Sequence, residues 1–180
     1  MLLDRIQSQL LVVDVQERLL PALHAPSPVV ERCAILLQAA HRLGIPATIS
    51  EQYRKGLGAT DARILAVQGD APLLEKMHFS CADDPAIAAR IKNAARPHVV
   101  LCGVEAHVCV LQSALGFQAT GLSVAVVADA VTSRKTESVA LALSRLRHAG
   151  VLVVNTEMVV FEWLNIAGAP EFKDLSKLIK

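Results

Sequence analysis

Aromatic residues are scarce in this 180-residue chain: four Phe, one Tyr and one Trp, 3% in all. Stacking platforms for nucleic acid are therefore not expected. Charge bias is missing too, because 18 Lys and Arg stand against 17 Asp and Glu for a net charge of +1. Nothing draws the protein as a whole to nucleic acid or to an anionic membrane. No apolar run approaches the roughly 18 residues of a membrane span, and Met1-Leu2-Leu3-Asp4-Arg5-Ile6 places charges where a signal peptide needs its apolar stretch. These absences predict a soluble, cytoplasmic protein with a small-molecule substrate.

Cys33, Cys81, Cys102 and Cys109 form no Cys-x-x-Cys spacing, so neither a disulfide framework nor a thiolate zinc site is indicated. The six histidines include no His-x-His or His-Glu-x-x-His arrangement, and no metal is expected. Gly56-Leu57-Gly58 lacks the third glycine of a dinucleotide fingerprint and reads as a flexible loop over the site rather than a phosphate cradle. No cofactor is implied. What the chain has in excess is apolar residues, 53% with a mean hydropathy of +0.41, which points to surface buried between subunits and so to a homo-oligomer.

Valine- and leucine-rich runs recur at 9–15, 45–50, 73–76, 98–103, 123–128 and 151–155, each of a length suited to a strand buried on both faces. Helical stretches at 29–43, 85–95, 106–120 and 133–149 separate them, several stopping at a glycine. A last helix is expected after Pro170, with Phe172, Leu175, Leu178 and Ile179 at helical spacing. Such alternation predicts one α/β domain over 1–180 with a mainly parallel sheet and right-handed crossovers. Both a Rossmann-like order 3-2-1-4-5-6 and a flavodoxin-like order fit it, and both bind ligands at the C-terminal ends of strands.

Three residues fall on that rim. Cys109 lies in the opening turn of the helix that follows 98–103, where unpaired N–H groups and the positive end of the dipole favour thiolate and can hold an oxyanion. Asp14 ends the first strand, and Lys76 ends the third. Each alone has a plainer reading, as a buried hydrophobe, a helix cap and a solvated charge. In the order 3-2-1-4-5-6 the third strand is two places from the first, roughly 10 Å, which a lysine side chain largely spans. Lys76 would then stabilise thiolate and carboxylate together, with Asp14 taking the thiol proton and returning it to a leaving group.

Leu11-Val12-Val13-Asp14-Val15-Gln16, Glu51-Gln52-Tyr53, Glu75-Lys76, Gly103-Val104-Glu105-Ala106-His107-Val108-Cys109 and Ala128-Asp129-Ala130 resemble the isochorismatase-like hydrolase superfamily over nearly the whole chain. The resemblance implies an Asp14–Lys76–Cys109 triad and a three-layer α/β/α fold. It also implies a cis peptide between Val104 and Glu105 that turns the N–H groups of Glu105 and Cys109 toward the substrate oxygen. The nucleophilic cysteine departs from true isochorismatases. The histidine-free Ser50-Glu51-Gln52-Tyr53-Arg54-Lys55-Gly56 departs from metal-dependent nicotinamidases. The Glu51-Gln52-Tyr53 and Glu105-Ala106-His107 variants look most like isochorismatase domain-containing proteins.

The expected activity is hydrolysis of a small amide or related C–N or acyl compound, with Gln52, Phe79 and Glu105 as substrate contacts. Two other classes remain open at this point. One is a catalytically idle member acting through protein–protein contacts; the other is a thiol redox protein pairing Cys109 with Cys102.

Overall fold

The computed structural model describes residues 2–179. Six strands, β1 (Ser8–Val13), β2 (Ala47–Gln52), β3 (Leu73–Lys76), β4 (His98–Val104), β5 (Ser123–Thr132) and β6 (Leu152–Val154), make one all-parallel sheet in the order β3-β2-β1-β4-β5-β6. The Rossmann-like order is thus the one adopted. β1, β2 and β4 are buried at every position, which is why they read as unbroken apolar runs.

Alternate side chains feed two cores. Leu10, Val12, Val100, Cys102, Ala125 and Val127 face one layer of helices, formed by α1 (Pro26–Arg42), the short α3 (Ala62–Leu65), α7 (Thr156–Leu164) and α8 (Phe172–Leu178). Leu11, Val13, Val99, Leu101, Val124 and Val126 face the other, formed by α4 (Pro85–Asn93), α5 (Leu111–Ala119) and α6 (Thr136–His148). This is the three-layer α/β/α arrangement.

Local chemistry sets the helix starts. Asp84 accepts from the N–H groups of Ala86 and Ile87 ahead of α4, and Asn155 accepts from Met158 ahead of α7. α1 begins at Pro26, earlier than the apolar period suggests, because Pro26 and Pro28 occupy a first turn whose N–H groups need no partner. The expected terminal helix is present, and Leu175 is fully buried beside Trp163. α7 is an addition to the sequence reading: Val159, Val160, Trp163 and Leu164 form its buried face. Gly56-Leu57-Gly58 also differs from expectation, since residues Arg54–Leu57 form a helical turn, α2. No helix of the described residues is long and apolar enough to cross a membrane.

Candidate active site

β1 and β4 are neighbours whose following connections leave on opposite faces, so their C-terminal ends form the topological switch point, where open parallel sheets bind their ligands. The two strands approach closely at Gly103 (φ 115°), where an added Cβ would lie 2.1 Å from the Val13 carbonyl oxygen. Between Leu101 and Gly103 the β4–β5 ladder slips, with Leu101 opposite Val126 but Gly103 opposite Val131. This bulged junction leads through a cis Val104–Glu105 peptide into a π-helical turn, Ala106–Val110, that runs on into α5. Cys109 sits in that turn and is 7% exposed. The sequence reading had the right place and the wrong local geometry.

Asp14 follows β1 with a left-handed backbone (φ 54°), a conformation that costs an L-residue about 1–2 kcal/mol and that Asp tolerates better than most. Its carboxylate is fully buried and doubly held. Lys76 Nζ donates to Oδ2 at 2.7 Å, and Ser50 Oγ donates to Oδ1 at 2.6 Å. Lys76 reaches across β2 to do so, and on the way its Nζ also donates to Gln52 Oε1 at 2.6 Å. Gln52 and Lys76 are register partners, as are Val13 and Ser50, so Ser50, Gln52 and Lys76 point to the α4–α5–α6 side. Cys81 and Cys109 belong to that same core.

Gln52 is itself locked in place. Its Nε2 donates to Met77 O at 3.0 Å, and its N–H donates to Gln16 Oε1 at 2.7 Å. Gln16 Nε2 in turn donates to the carbonyls of Gln52 and Gly58. Glu51, also buried, accepts from Thr60 N–H and Oγ1 at 2.8 and 2.7 Å. The Glu51-Gln52-Tyr53 piece therefore splits into two jobs: Gln52 braces the lysine, and Glu51 fastens the loop that crosses behind it.

The electrostatics correct one expectation. Burial and the Asp14 carboxylate push the Cys109 thiol far above its usual range, despite an opposing pull from Lys76. That environment favours the thiol form of Cys109 over a preformed thiolate. Lys76 loses solvation on burial, yet the Asp14 carboxylate beside it outweighs this and its pKa is raised, so it stays an ammonium ion.

Two expected contacts stand apart from this network. Phe79 lies on the segment after β3 with 56% of its surface exposed. The Glu105 carboxylate turns to Arg134 Nε (3.1 Å) and His107 (3.6 Å), and His107 Nδ1 also meets Ser133 Oγ at 2.9 Å. The Cys102–Cys109 pair of a redox reading does not form, because Cys102 lies in the core on the opposite side of the sheet from Cys109. Ser50 and Cys81 are site residues the sequence did not announce. Cys81 Sγ donates to Ser50 Oγ at 3.6 Å, and Cys81 N–H donates to Ser113 Oγ at 2.8 Å. Among the described residues no group of three or more His, Cys, Asp or Glu side chains is arranged to hold a metal ion.

A doubly wound parallel sheet with a buried acid, a buried cation and a thiol where β1 and β4 part defines an α/β protein whose site sits at the topological switch point. More particularly, the chain belongs to the isochorismatase family, whose isochorismatase domain matches residues 8–158. It is 39% identical over 173 residues to isochorismatase domain-containing protein 2 of Danio rerio, covering 96% of this chain and 86% of that one. It is 37% identical over 178 residues to the secreted isochorismatase effector Isc1 of Phytophthora sojae, covering 96% and 84%. Among solved structures, MAR1 ribonuclease from Caenorhabditis elegans superposes with a TM-score of 0.94 at 32% identity, covering 99% of this chain and 92% of that one. Family and fold support a hydrolase role.

Proposed function

We propose that the protein is a cysteine hydrolase acting on a small amide or a related C–N or acyl compound. The observation that carries this reading is the fully buried Lys76–Asp14 pair, 2.7 Å between Nζ and Oδ2, on the side of the sheet whose core holds Cys109. A charge pair taken wholly out of water is a poor means of stabilising a fold, and its place on the ligand-binding rim gives it a use. As Cys109 Sγ attacks the carbonyl carbon, its proton passes to Asp14. The Lys76 ammonium offsets charge on both groups throughout. The N–H groups of Glu105 and Cys109, at the positive end of the helix, receive the developing oxyanion. Asp14 then protonates the departing amine, leaving a thioester that water cleaves with Asp14 as base, releasing the acid and restoring the thiol.

Gln52 holds Lys76 in this scheme, and Phe79 and Glu105 edge the substrate's entrance. Exposed Tyr53, Met77 and Phe79 near the rim are the surface a second copy would cover, and light scattering on the purified chain reads that oligomeric state. Incubation with a panel of small amides, read by released ammonia and by intact mass for an acyl adduct on Cys109, tests the reaction. The expected result is turnover that Cys109→Ala abolishes and that exhaustive chelation leaves unchanged. Turnover surviving Cys109→Ala overturns it.

A further inference from the structure

Asp14 has two carboxylate oxygens and, in the reading above, one task that depends on where they point. Lys76 fixes Oδ2. The other oxygen is held by a residue outside the triad, Ser50, at 2.6 Å. A serine hydroxyl has one proton and two acceptor positions, and a carboxylate paired with an ammonium ion can only accept, so the Ser50 proton is committed to Asp14. The second buried thiol completes the chain: Cys81 Sγ donates to Ser50 Oγ, filling an acceptor position that the hydroxyl has left.

Cys81 is suited to that service. It is fully buried, its own N–H is pinned by Ser113 Oγ at 2.8 Å, and burial together with the Asp14 charge pushes its pKa up to about 11, so it keeps its proton. Ser50 is equally enclosed. The order of donors runs one way, from Cys81 to Ser50 to Asp14.

We propose that Ser50 and Cys81 are positioning residues: a one-directional thiol–hydroxyl relay that fixes the rotation of the Asp14 carboxylate, so that the lone pair left free by Lys76 and Ser50 faces the Cys109 thiol. The proposal rests on the reading of Asp14 as the acceptor of the Cys109 proton. It assigns Cys81, a buried thiol beside a nucleophile, to orientation rather than to chemistry.

The S–H stretching region of the infrared spectrum is free of other protein bands, and each of the four thiols can be assigned by its loss on substitution. In the full-length protein, Ser50→Ala is expected to shift the Cys109 S–H band, because the carboxylate it donates to has turned. Ser50→Thr, which keeps the hydroxyl, returns the band to its original place. Cys81→Ala, which removes the relay's first donor and keeps the hydroxyl, shifts the Cys109 band less and serves if Ser50→Ala does not fold. Unmoved Cys109 bands in the foldable variants overturn the relay. Asp14→Asn separates the two levels. If it too leaves the Cys109 band unmoved, the carboxylate–thiol contact fails and the reading of Asp14 with it. If it moves the band while Ser50→Ala and Cys81→Ala do not, only the relay falls.

Discussion

Four buried cysteines lie in two pairs on opposite sides of one sheet. On the α1–α7 side, Cys33 and Cys102 lie among aliphatic side chains, and Cys33 Sγ donates to the Ala130 carbonyl. On the α4–α5 side, Cys81 and Cys109 share their core with the Lys76–Asp14 pair. All four are hidden from water to nearly the same degree. The neighbouring Cys33 thiol and burial raise Cys102, burial raises Cys81 and Cys109, and Lys76 pulls back only the latter two. What separates the two sides is a neighbouring cation and a carboxylate, and on the second side only Cys109 keeps any exposure, 7% against none for Cys81.

The sharpest way to break this contrast is to exchange thiols for methyl groups on both sides. Cys109→Ala is expected to lower amide hydrolysis by about 1000-fold or more, the scale on which loss of a nucleophile acts. Cys102→Ala should leave kcat within twofold of wild type. A comparable loss from both variants would mean that the two sides are not chemically distinct.

Second in size is the pair itself. Lys76→Met leaves the Asp14 carboxylate buried without its cation, and such breaks destabilise by about 3–5 kcal/mol. Urea unfolding monitored by circular dichroism measures this. A variant as stable as wild type would show that Asp14 is neutral at rest, and the contrast between the cores would fade.

Third is labelling by iodoacetamide. Because the Cys109 thiol lies far above its usual range, its rate should climb about tenfold per pH unit from pH 6 to pH 8, tracking the thiolate fraction. Cys33 and Cys102 should remain unlabelled in the folded chain. Asp14→Asn should speed labelling of Cys109 while ending hydrolysis, and Lys76→Met should slow it, as the directions of their influence require. Mass spectrometry of tryptic peptides reads all four thiols at once.

The smallest effects concern stability. Cys102→Ala removes one buried atom from a well-filled core and is expected to cost about 1 kcal/mol. Raising the pH past the ordinary thiol range should weaken the fold further, because the unfolded chain releases protons that Cys81, Cys102 and Cys109 retain when folded. Stability lost through this linkage returns on reacidification, which a reversible melting temperature checks.

Much of this was legible because doubly buried strands write themselves as runs such as Leu10-Leu11-Val12-Val13, with the residue after the run placed on the rim. Asp14 announces itself in that way, while Lys76 closes the short run that is β3 and Cys109 lies in the turn after β4. Ser50 and Cys81 do not, because their roles come from lateral neighbours two strands or a loop away. The charge state of Cys109 is misread for a related cause: a helix N-terminus is visible in a sequence, whereas the desolvation that outweighs it depends on how α5 and α6 pack around the turn that carries the thiol. α7 was hidden because Met158-Val159-Val160-Phe161 lies in an apolar stretch whose period shows only once Trp163 and Leu164 are added.

The bare Cα at Gly103 works as a spacer gauge. Val13, whose carbonyl oxygen occupies the place where a Gly103 Cβ would be, immediately precedes Asp14, and Gly103 stands six residues before Cys109. A methyl group there would wedge the two strands apart at the point that sets the gap between carboxylate and thiol. The reach of a proton from sulfur to oxygen is thus calibrated by a side chain that is not there.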